Sequence, residues 1–272
     1  MKSNCLLVLL ITLSISARAQ QDDSVMIRQI ANEVLEHGRA YNNLRVLCKN
    51  VGGRLAGSPQ MVKAEAWGRE CLQQAGADIV YQQECMVPHW VRGGKDIAYF
   101  KTGSSNKNFP LDVLALGGSP GTGKKGLSAP LIMVKDFDEL EQRKAEIKGK
   151  IVFYNYHFNP EFIRTFEAYG DAVKYRVTGP ARAAAYGALA VLVRSMSHAT
   201  DNYPHTGGTH YAADGPAIPA LAVGLQDADR LAATINKNER VSVYLQNNAK
   251  TLPDTIGHNI IGEWKGTEFP GS

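Results

Sequence analysis

The chain has 272 residues, with 30 Lys and Arg against 26 Asp and Glu, which gives a formal net charge of +4. Hydrophobic residues make up 44% and charged residues 21%, the proportions of a globular protein with a sizeable core rather than of a disordered chain. Two of the surplus basic residues, Lys2 and Arg18, fall in a predicted leader, so the rest of the chain is nearly neutral and has no charge pattern for binding nucleic acid.

Residues 1–19 have the pattern of a cleavable secretory signal. Lys2 precedes an apolar run from Leu6 to Ile15, and Ala17 and Ala19 supply the small residues expected before a cleavage site. The run is shorter than the roughly 20 apolar residues that cross a bilayer, so the sequence predicts no membrane anchor. We therefore expect a secreted or periplasmic protein.

Three cysteines remain after the leader: Cys48, Cys71 and Cys85. The compartment can be oxidising, so one disulfide with one free thiol is one interpretation. Three thiols packed as small apolar side chains are the other, because no Cys-x-x-Cys spacing occurs.

The first part of the mature chain is predicted to be helical. Apolar residues recur at helical spacing, Asp and Ser stand at the starts of the first and third helices, and Gly stands at the end of each helix. The predicted helices cover residues 22–38, 41–51 and 59–76, and a strand is predicted over 79–87.

From about residue 95, short β-branched or aromatic runs alternate with Gly, Pro, Ser and Asn clusters. This texture predicts a β-rich module with few helices and places a domain boundary near residue 95. Strands are predicted at 97–100, 113–116, 131–134, 151–154, 189–193, 218–223 and 241–245, and helices at 138–148, 180–187 and 227–235. A further strand is predicted near residues 258–264. Together these elements indicate an α/β fold.

The segment Gly118-Ser-Pro-Gly-Thr-Gly-Lys124 is close to a phosphate-binding loop. Lys125 occupies the position of the magnesium-binding Ser or Thr, and the sequence up to Pro130 cannot open a helix. We therefore predict a flexible surface turn.

A Gly-rich loop carries His198, Asp201, His205, His210 and Asp214, residue types that bind zinc or calcium. Their irregular spacing, interrupted by proline and glycine, favours a loop that contacts a substrate or a neighbouring domain over a metal site.

Several collinear segments resemble the carboxypeptidase Q group, also called plasma glutamate carboxypeptidase, among the di-zinc exopeptidases of peptidase family 28. They are Gly53-Arg-Leu-Ala-Gly-Ser58, Pro88-His-Trp-Val-Arg-Gly93, Phe137-Asp-Glu-Leu140, Gly149-Lys-Ile-Val152, Tyr203-Pro-His-Thr-Gly207, Ile218-Pro219 and Lys250-Thr-Leu-Pro-Asp-Thr255. The resemblance extends over nearly all of the mature chain.

The resemblance implies an exopeptidase domain interrupted by an inserted protease-associated α/β domain. The implied division is residues 1–19 as signal peptide, 20–94 as the first part of the peptidase domain, 95–249 as the insert, and 250–272 as the start of the returning, truncated peptidase sheet. Two zinc ions are implied for the full-length enzyme, where a glutamate activates the attacking water.

The metal ligands of that family have no counterpart in this sequence. No histidine is followed by aspartate two positions later, and no Glu-Glu dipeptide occurs. We therefore name no catalytic or metal residue and expect no zinc bound to this chain alone. For a substrate pocket, the candidates are Tyr203, His205 and Thr206, with Arg194 as a bidentate partner for a carboxylate. The alternative is that these residues only stabilise their own loop.

Two interpretations follow. In the first, the chain is the N-terminal portion of a secreted zinc exopeptidase that acts on dipeptides or terminal residues, with loops of the insert serving the pocket or a homodimer contact. In the second, it is a complete, non-catalytic secreted module that binds peptides or partner proteins. The first predicts that the helices before residue 76 expose an apolar face, because most of their sheet is missing. The second predicts a closed sheet in a stable chain.

Overall fold

The computed structural model describes residues 23–237 and 240–266, and in this part the chain forms two compact units. Among the described residues, unit 1 contains 23–54, 59–83 and 259–266, and unit 2 contains 55–58 and 84–258. The predicted signal peptide, residues 1–19, lies outside the described residues, as do residues 267–272 of the predicted returning segment.

Unit 1 is built from three helices and the outer parts of two paired strands. Helix α1 covers residues 23–37, and the other elements are α2 Ala40–Val46, a π-helical turn Leu47–Val51, α3 Pro59–Gln74, β1 Ile79–Val91 and β10 Lys250–Glu263. Strands β1 and β10 form a two-stranded sheet, and the boundary between the units falls within each of them. The three predicted helices are confirmed, except that the second ends in the π-helical turn.

Unit 2 contains an eight-stranded mixed sheet in the order β3-β2-β9-β5-β6-β7-β8-β4. Its strands are β2 Ile97–Thr102, β3 Ser105–Leu111, β4 Val113–Ala115, β5 Leu127–Val134, β6 Ile151–Tyr154, β7 Ala190–Arg194, β8 Ala220–Val223 and β9 Val241–Gln246. Strands β5, β6, β7 and β8 are parallel, whereas the remaining pairs are antiparallel.

The sheet curls so that its two edges meet. β3 ends at Leu111 and β4 begins at Val113, yet these strands lie at opposite ends of the sheet order. Only Asp112 separates them, and consecutive Cα atoms are about 3.8 Å apart. The two edges therefore approach each other at Asp112 without pairing, and we call the region around Asp112 the seam.

Helices cover both faces of the parallel strands: α4 Phe137–Gln142, α5 Thr165–Val177, α6 Gly179–Ala185 and α7 Leu225–Asn236. Along β6, Ile151 and Phe153 belong to one apolar cluster and Val152 and Tyr154 to another. A strand buried on both faces reads as an uninterrupted apolar run, which is why β6 was predicted with its observed bounds.

The predicted β-rich module with few helices is wrong in its helix content. The buried side of helix α5 includes Ala168, Ala172 and Tyr175 and has no stripe of Leu or Ile. Its apolar periodicity is therefore weak, and the helix was not predicted. The predicted helix 138–148 breaks at Arg143 into α4 and a 3-10 turn, Lys144–Glu146. The strand β3 was also missed.

The predicted flexible turn at residues 118–124 is held in place on both sides. Ser119 is fully buried, and its Oγ donates to Leu116 O at 2.7 Å. Thr122 N donates to Asn247 Oδ1 at 2.9 Å. No helix follows, and β5 begins at Leu127, so the absence of a phosphate-loop helix was correctly predicted, but a surface position for Ser119 is wrong.

The structure describes all three cysteines that follow the predicted leader. Cys48, Cys71 and Cys85 are free thiols in the structure, so the predicted disulfide does not form. Cys48 is exposed, so the alternative of three packed thiols is wrong for that residue. Across the described residues, every helix is too short or too polar to cross a membrane.

Candidate functional site

The loop between β7 and β8, residues 195–219, holds three of the four predicted pocket residues. It leaves the sheet at the carboxyl ends of parallel strands, where α/β proteins place their ligand sites. Its first residue, Ser195, is 1% exposed, and its Oγ donates to Val223 O at 2.7 Å. The same Oγ accepts a hydrogen bond from His205 N at 2.9 Å, so the loop folds back onto its own start.

Arg194, the last residue of β7, already has a carboxylate partner within the protein. Its side chain is 9% exposed, and Nη1 donates to Asp229 Oδ1 at 2.6 Å. Nη1 also lies 3.3 Å from Asn155 Oδ1. A ligand carboxylate would share this guanidinium with Asp229, and a role in substrate binding stays a prediction.

His157 lies beside this ion pair and is held towards the neutral imidazole. Burial lowers its pKa, and the positive charge of Arg194 lowers the pKa further, while Asp229 acts in the opposite direction.

The remaining three predicted residues are held by different contacts. Tyr203 is 77% exposed, and its backbone N–H donates to Asp201 Oδ1 at 2.9 Å. Thr206 Oγ1 donates to Ala115 O at 2.8 Å, which ties the loop to β4. His205 is fixed through its backbone by Ser195. The structure therefore fixes His205 at the start of the loop and Thr206 against β4, and it leaves Tyr203 on the surface.

Arg176 on α5 is a buried residue of this region that the sequence analysis missed. It is 8% exposed, its Nη2 donates to Tyr169 Oη, and its Nη1 lies 3.4 Å from Thr206 O. A Cβ added to Gly207 would lie 2.4 Å from Arg176 Cζ, so the glycine of the Pro-His-Thr-Gly segment makes room for the guanidinium. Recognising helix α5 was the signal needed to find it.

The His and Asp side chains of the loop are not gathered into a metal site. His198 packs edge-on against Phe158, with ring centroids 4.8 Å apart. His210 donates its backbone N–H to Val177 O at 2.9 Å. Over residues 23–237 and 240–266, no group of three His, Cys, Asp or Glu side chains could hold a metal ion.

The Pro-His-Trp-Val-Arg-Gly segment anchors the end of β1 to the sheet of unit 2. Trp90 Nε1 donates to Ser119 O at 2.9 Å, and Arg92 Cζ lies 5.2 Å from the Trp90 ring centre. Arg92 Nη1 donates to Ala115 O at 2.6 Å, while Ala115 N donates to Asp96 Oδ2 at 2.7 Å. Burial raises the pKa of Asp96, against the Ala115 hydrogen bond and the charge of Arg92, which lower it.

Two cavities adjoin the loop. One of about 310 Å³ has mainly aromatic and apolar walls, including Phe158, Tyr169, Met196 and His198. The other, of about 570 Å³, lies at the seam between β3 and β4, and Tyr203 is the only one of the four predicted pocket residues in its wall. We call it the seam cavity.

Comparison with known proteins gives a consistent family. Carboxypeptidase Q of Xenopus laevis is 34% identical over 250 residues, which cover 89% of this chain and 51% of the relative. Carboxypeptidase Q of Homo sapiens is 34% identical over 232 residues, covering 85% and 47%. No family model matches the chain.

Solved structures agree with the sequence relatives. A peptidase M28 precursor from Shewanella amazonensis has a TM-score of 0.83 at 31% identity, covering 91% of this chain and 55% of that chain. An aminopeptidase from Aneurinibacillus sp. strain AM-1 has a TM-score of 0.52 at 21% identity, covering 83% and 47%, which indicates a shared fold alone.

The large mixed sheet and the Shewanella match define the class: the chain is a homologue of the M28 peptidases. Within that class, it belongs with carboxypeptidase Q by sequence. The chain spans about half the length of the curated relatives that it matches.

Proposed function

We propose that this chain is part of a zinc-dependent exopeptidase that removes terminal residues from peptides or hydrolyses dipeptides. The name of its carboxypeptidase Q relatives supports the exopeptidase activity. One observation carries the proposal: identity of 34% with carboxypeptidase Q extends over 89% of the chain. The TM-score of 0.83 with a peptidase M28 precursor, which is 31% identical in sequence, also supports it.

In this proposal unit 2 is an inserted protease-associated domain, and unit 1 combines two pieces of a peptidase domain. Unit 2 has its own curled sheet and apolar core, as an independent insert requires. The chain passes from unit 1 to unit 2 at residues 83–84, within β1, and returns at residues 258–259, within β10. This arrangement is compatible with an insertion into a continuous domain. The sequence boundaries proposed above, 94–95 and 249–250, lie some residues inside these positions.

We further propose that the zinc ligands belong to polypeptide outside these 272 residues. The described residues do not fit a di-zinc centre, because no three candidate ligands converge. The sequence lacks the His-x-Asp and Glu-Glu patterns of the family. The exposed apolar faces of unit 1 also favour a larger peptidase domain, since large uncovered apolar patches mark surfaces that contact another part of a structure.

The proposed setting is extracellular or periplasmic, on the basis of the leader pattern at residues 1–19. The proposed partners are peptide substrates and a second copy of the protein. The nearly neutral charge of the chain after its leader gives no support for a polyanionic partner.

A non-catalytic peptide-binding module remains the second candidate, and the cavity beside the seam of unit 2 favours it. The two candidates predict different activities for a longer protein that continues the reading frame beyond residue 272. A binding module gains no hydrolytic activity from additional residues, whereas the exopeptidase does.

The test compares two purified proteins: residues 20–272, and the product of the uninterrupted reading frame that contains them. We expect residues 20–272 to show neither stoichiometric zinc nor dipeptide hydrolysis, and the longer product to show both. Zinc is measured by elemental analysis and turnover by release of free amino acids. Two zinc ions with turnover in residues 20–272 contradict the proposed position of the ligands. A longer product without hydrolysis contradicts the exopeptidase proposal.

A further inference from the structure

The first part of the β7–β8 connection, residues 196–204, leaves the sheet and returns to the point where it began. We call this segment the 196–204 loop. Ser195 Oγ accepts a hydrogen bond from His205 N at 2.9 Å, so the two ends of the loop lie side by side at the carboxyl end of β7. A compact surface loop with adjacent ends is an Ω-loop, a type of segment that often carries function.

The 196–204 loop is attached to the protein through side chains. Among the described residues, no backbone–backbone hydrogen bond involves any part of it. Ala199 N donates to Ser197 Oγ, and Tyr203 N donates to Asp201 Oδ1. Met196 is the only buried residue of the loop. Segments with few buried contacts and few backbone hydrogen bonds open at a lower free energy than the core of a protein.

Asn202 fastens the far end of the loop to the seam. Its Nδ2 donates to Asp112 Oδ2 at 2.8 Å and to Asp227 Oδ2 at 2.9 Å. Its Oδ1 accepts a hydrogen bond from Asp227 N at 3.0 Å. This last bond caps helix α7, whose own N-cap residue, Gly224, has no side chain. One side chain therefore joins the loop to the seam and to α7.

The start of the loop is held by apolar contacts instead. Met196 and Phe158 belong to one apolar cluster, and the ring of His198 packs edge-on against Phe158. Gln226 Nε2 then donates to Thr200 O at 2.7 Å. Beyond residue 200, the loop is fastened to the rest of the described protein by Asn202, until it returns to Ser195.

The fastened end of the loop forms one side of the seam cavity. Asn202, Tyr203 and Pro204 contribute this side, and residues 94–98 and 110–114 contribute the rest of the wall. The volume of about 570 Å³ falls in the range of small-molecule sites, which is roughly 300–1,000 Å³. If Asn202 leaves Asp112 and Asp227, this side of the wall moves away, and the cavity opens.

We propose that the 196–204 loop is a lid of the seam cavity, with Asn202 as its latch and residues 196–198 as its hinge. An Ω-loop that is closed at its base can swing as a unit, because a few residues near its ends absorb the changes in φ and ψ. The sheet is not disturbed by this motion, since the latch consists of side-chain hydrogen bonds. The lid is a property of unit 2 and does not depend on the proposed exopeptidase activity.

The first experiment measures hydrogen–deuterium exchange at single residues in the purified chain, in Asn202→Ala and in the control Asn108→Ala. Asn108 is an exposed residue of β3 outside the cavity wall. We expect Tyr203 N–H to exchange at least about tenfold faster in Asn202→Ala and within about twofold of the parent in the control. The amides of β7 should not change. An unchanged rate at Tyr203, or an equal rise in β7, overturns the proposal.

A second variant opens the lid with Asn202 in place. A Cβ added to Gly224 would lie 2.2 Å from Asn202 O, so Gly224→Ala pushes the loop away from α7. The φ and ψ of Gly224, −61° and 153°, are accessible to alanine, so the close contact is the cause of the change. We expect the exchange of Tyr203 N–H to rise about tenfold here also. A rate equal to that of the parent contradicts a latch at this position.

The third experiment asks whether the cavity itself becomes accessible. Ala98→Cys places a thiol in the cavity wall, where Ala98 is 4% exposed. Ala129→Cys is the matched control, because Ala129 is a 5% exposed residue of the same sheet outside that wall. Alkylation by iodoacetamide is followed by mass spectrometry of the peptides, with and without Asn202→Ala.

We expect Asn202→Ala to accelerate alkylation at position 98 at least about tenfold and to leave position 129 within about twofold. If Ala98→Cys does not fold, Leu114→Cys, half-buried in the same wall, takes its place. An unchanged rate in the wall overturns the lid. An equal acceleration at position 129 also overturns it, because the whole sheet has then loosened.

Discussion

The two units of this chain handle their apolar side chains in opposite ways. In unit 2, every residue of β6, β7 and β8 is buried. In the described part of unit 1, Glu65 is the only buried residue, and no apolar residue is buried. Six large apolar side chains of α1 are 49–83% exposed: Val25, Met26, Ile27, Ile30, Val34 and Leu35.

This difference in burial shows where each unit obtains its stability. Burying a large aliphatic side chain contributes roughly 1.5–3 kcal/mol to the free energy of unfolding. Many such side chains are buried within the sheet and helices of unit 2. Unit 1 has the amphipathic sequence of packed helices without the surface that would cover them. The comparison therefore predicts that substitutions act strongly in unit 2 and weakly in unit 1 of the isolated chain.

The largest expected effect comes from a matched pair of leucines. Leu192 in β7 is fully buried, whereas Leu35 in α1 is 83% exposed. We expect Leu192→Ala to lower the free energy of unfolding by about 2–5 kcal/mol, because it opens a cavity in a dense core. Leu35→Ala should change it by less than about 0.5 kcal/mol. Urea denaturation measures both, and equal losses would remove the contrast between the units.

A smaller loss of stability is expected at Gly207 of unit 2, whose backbone lies close to the side chain of Arg176. The Cβ of Gly207→Ala would lie 2.4 Å from the buried Arg176 Cζ, so we expect a loss of about 1–3 kcal/mol. The neighbouring Gly208→Ala is the control, since no atom lies within 4 Å of its added Cβ. The loss should disappear when Arg176→Ala is already present. A loss that persists there would show that the guanidinium is not its cause.

The pH dependence of stability tests the buried carboxylate of unit 2. Burial raises the pKa of Asp96, so the folded chain retains this proton above the ordinary aspartate pKa of about 3.9. The contribution of Asp96 to stability is therefore present at low pH and is lost as the pH rises through the raised pKa.

Asp96→Asn removes this titration, so the stability of the variant should gain relative to the parent as the pH rises from about 4 towards neutral. Urea midpoints across that range provide the check, and Asp214→Asn controls for the loss of one charge. A stability difference independent of pH would contradict a raised pKa.

The smallest effect concerns rates of thiol alkylation rather than stability. Cys48 in unit 1 is exposed, whereas Cys71 and Cys85 are half-buried. Burial raises the pKa of Cys71, and Cys85 Sγ lies 3.5 Å from Gly257 O. We expect iodoacetamide to modify Cys48 first in the native protein, because the exposed thiolate reacts. Mass spectrometry identifies the order, and detection of a disulfide-linked pair would contradict three free thiols.

The sequence by itself determined the elements whose signals are local. The helix at 23–37 follows from apolar spacing between Asp and Gly residues, and Ile151–Tyr154 follows from an uninterrupted apolar run. The homology to carboxypeptidase Q was also visible in short collinear segments, and the comparisons confirm it.

Only the tertiary structure decided the features that depend on residues far apart in the chain. The seam requires β3 and β4 to lie at opposite ends of a sheet and still be joined by Asp112. The contact between Arg176 and Gly207, and the position of Asp96 in the wall of the seam cavity, have no periodic signal. Apolar periodicity reports which face of an element is buried, whereas partners across a fold are set by sheet order and packing.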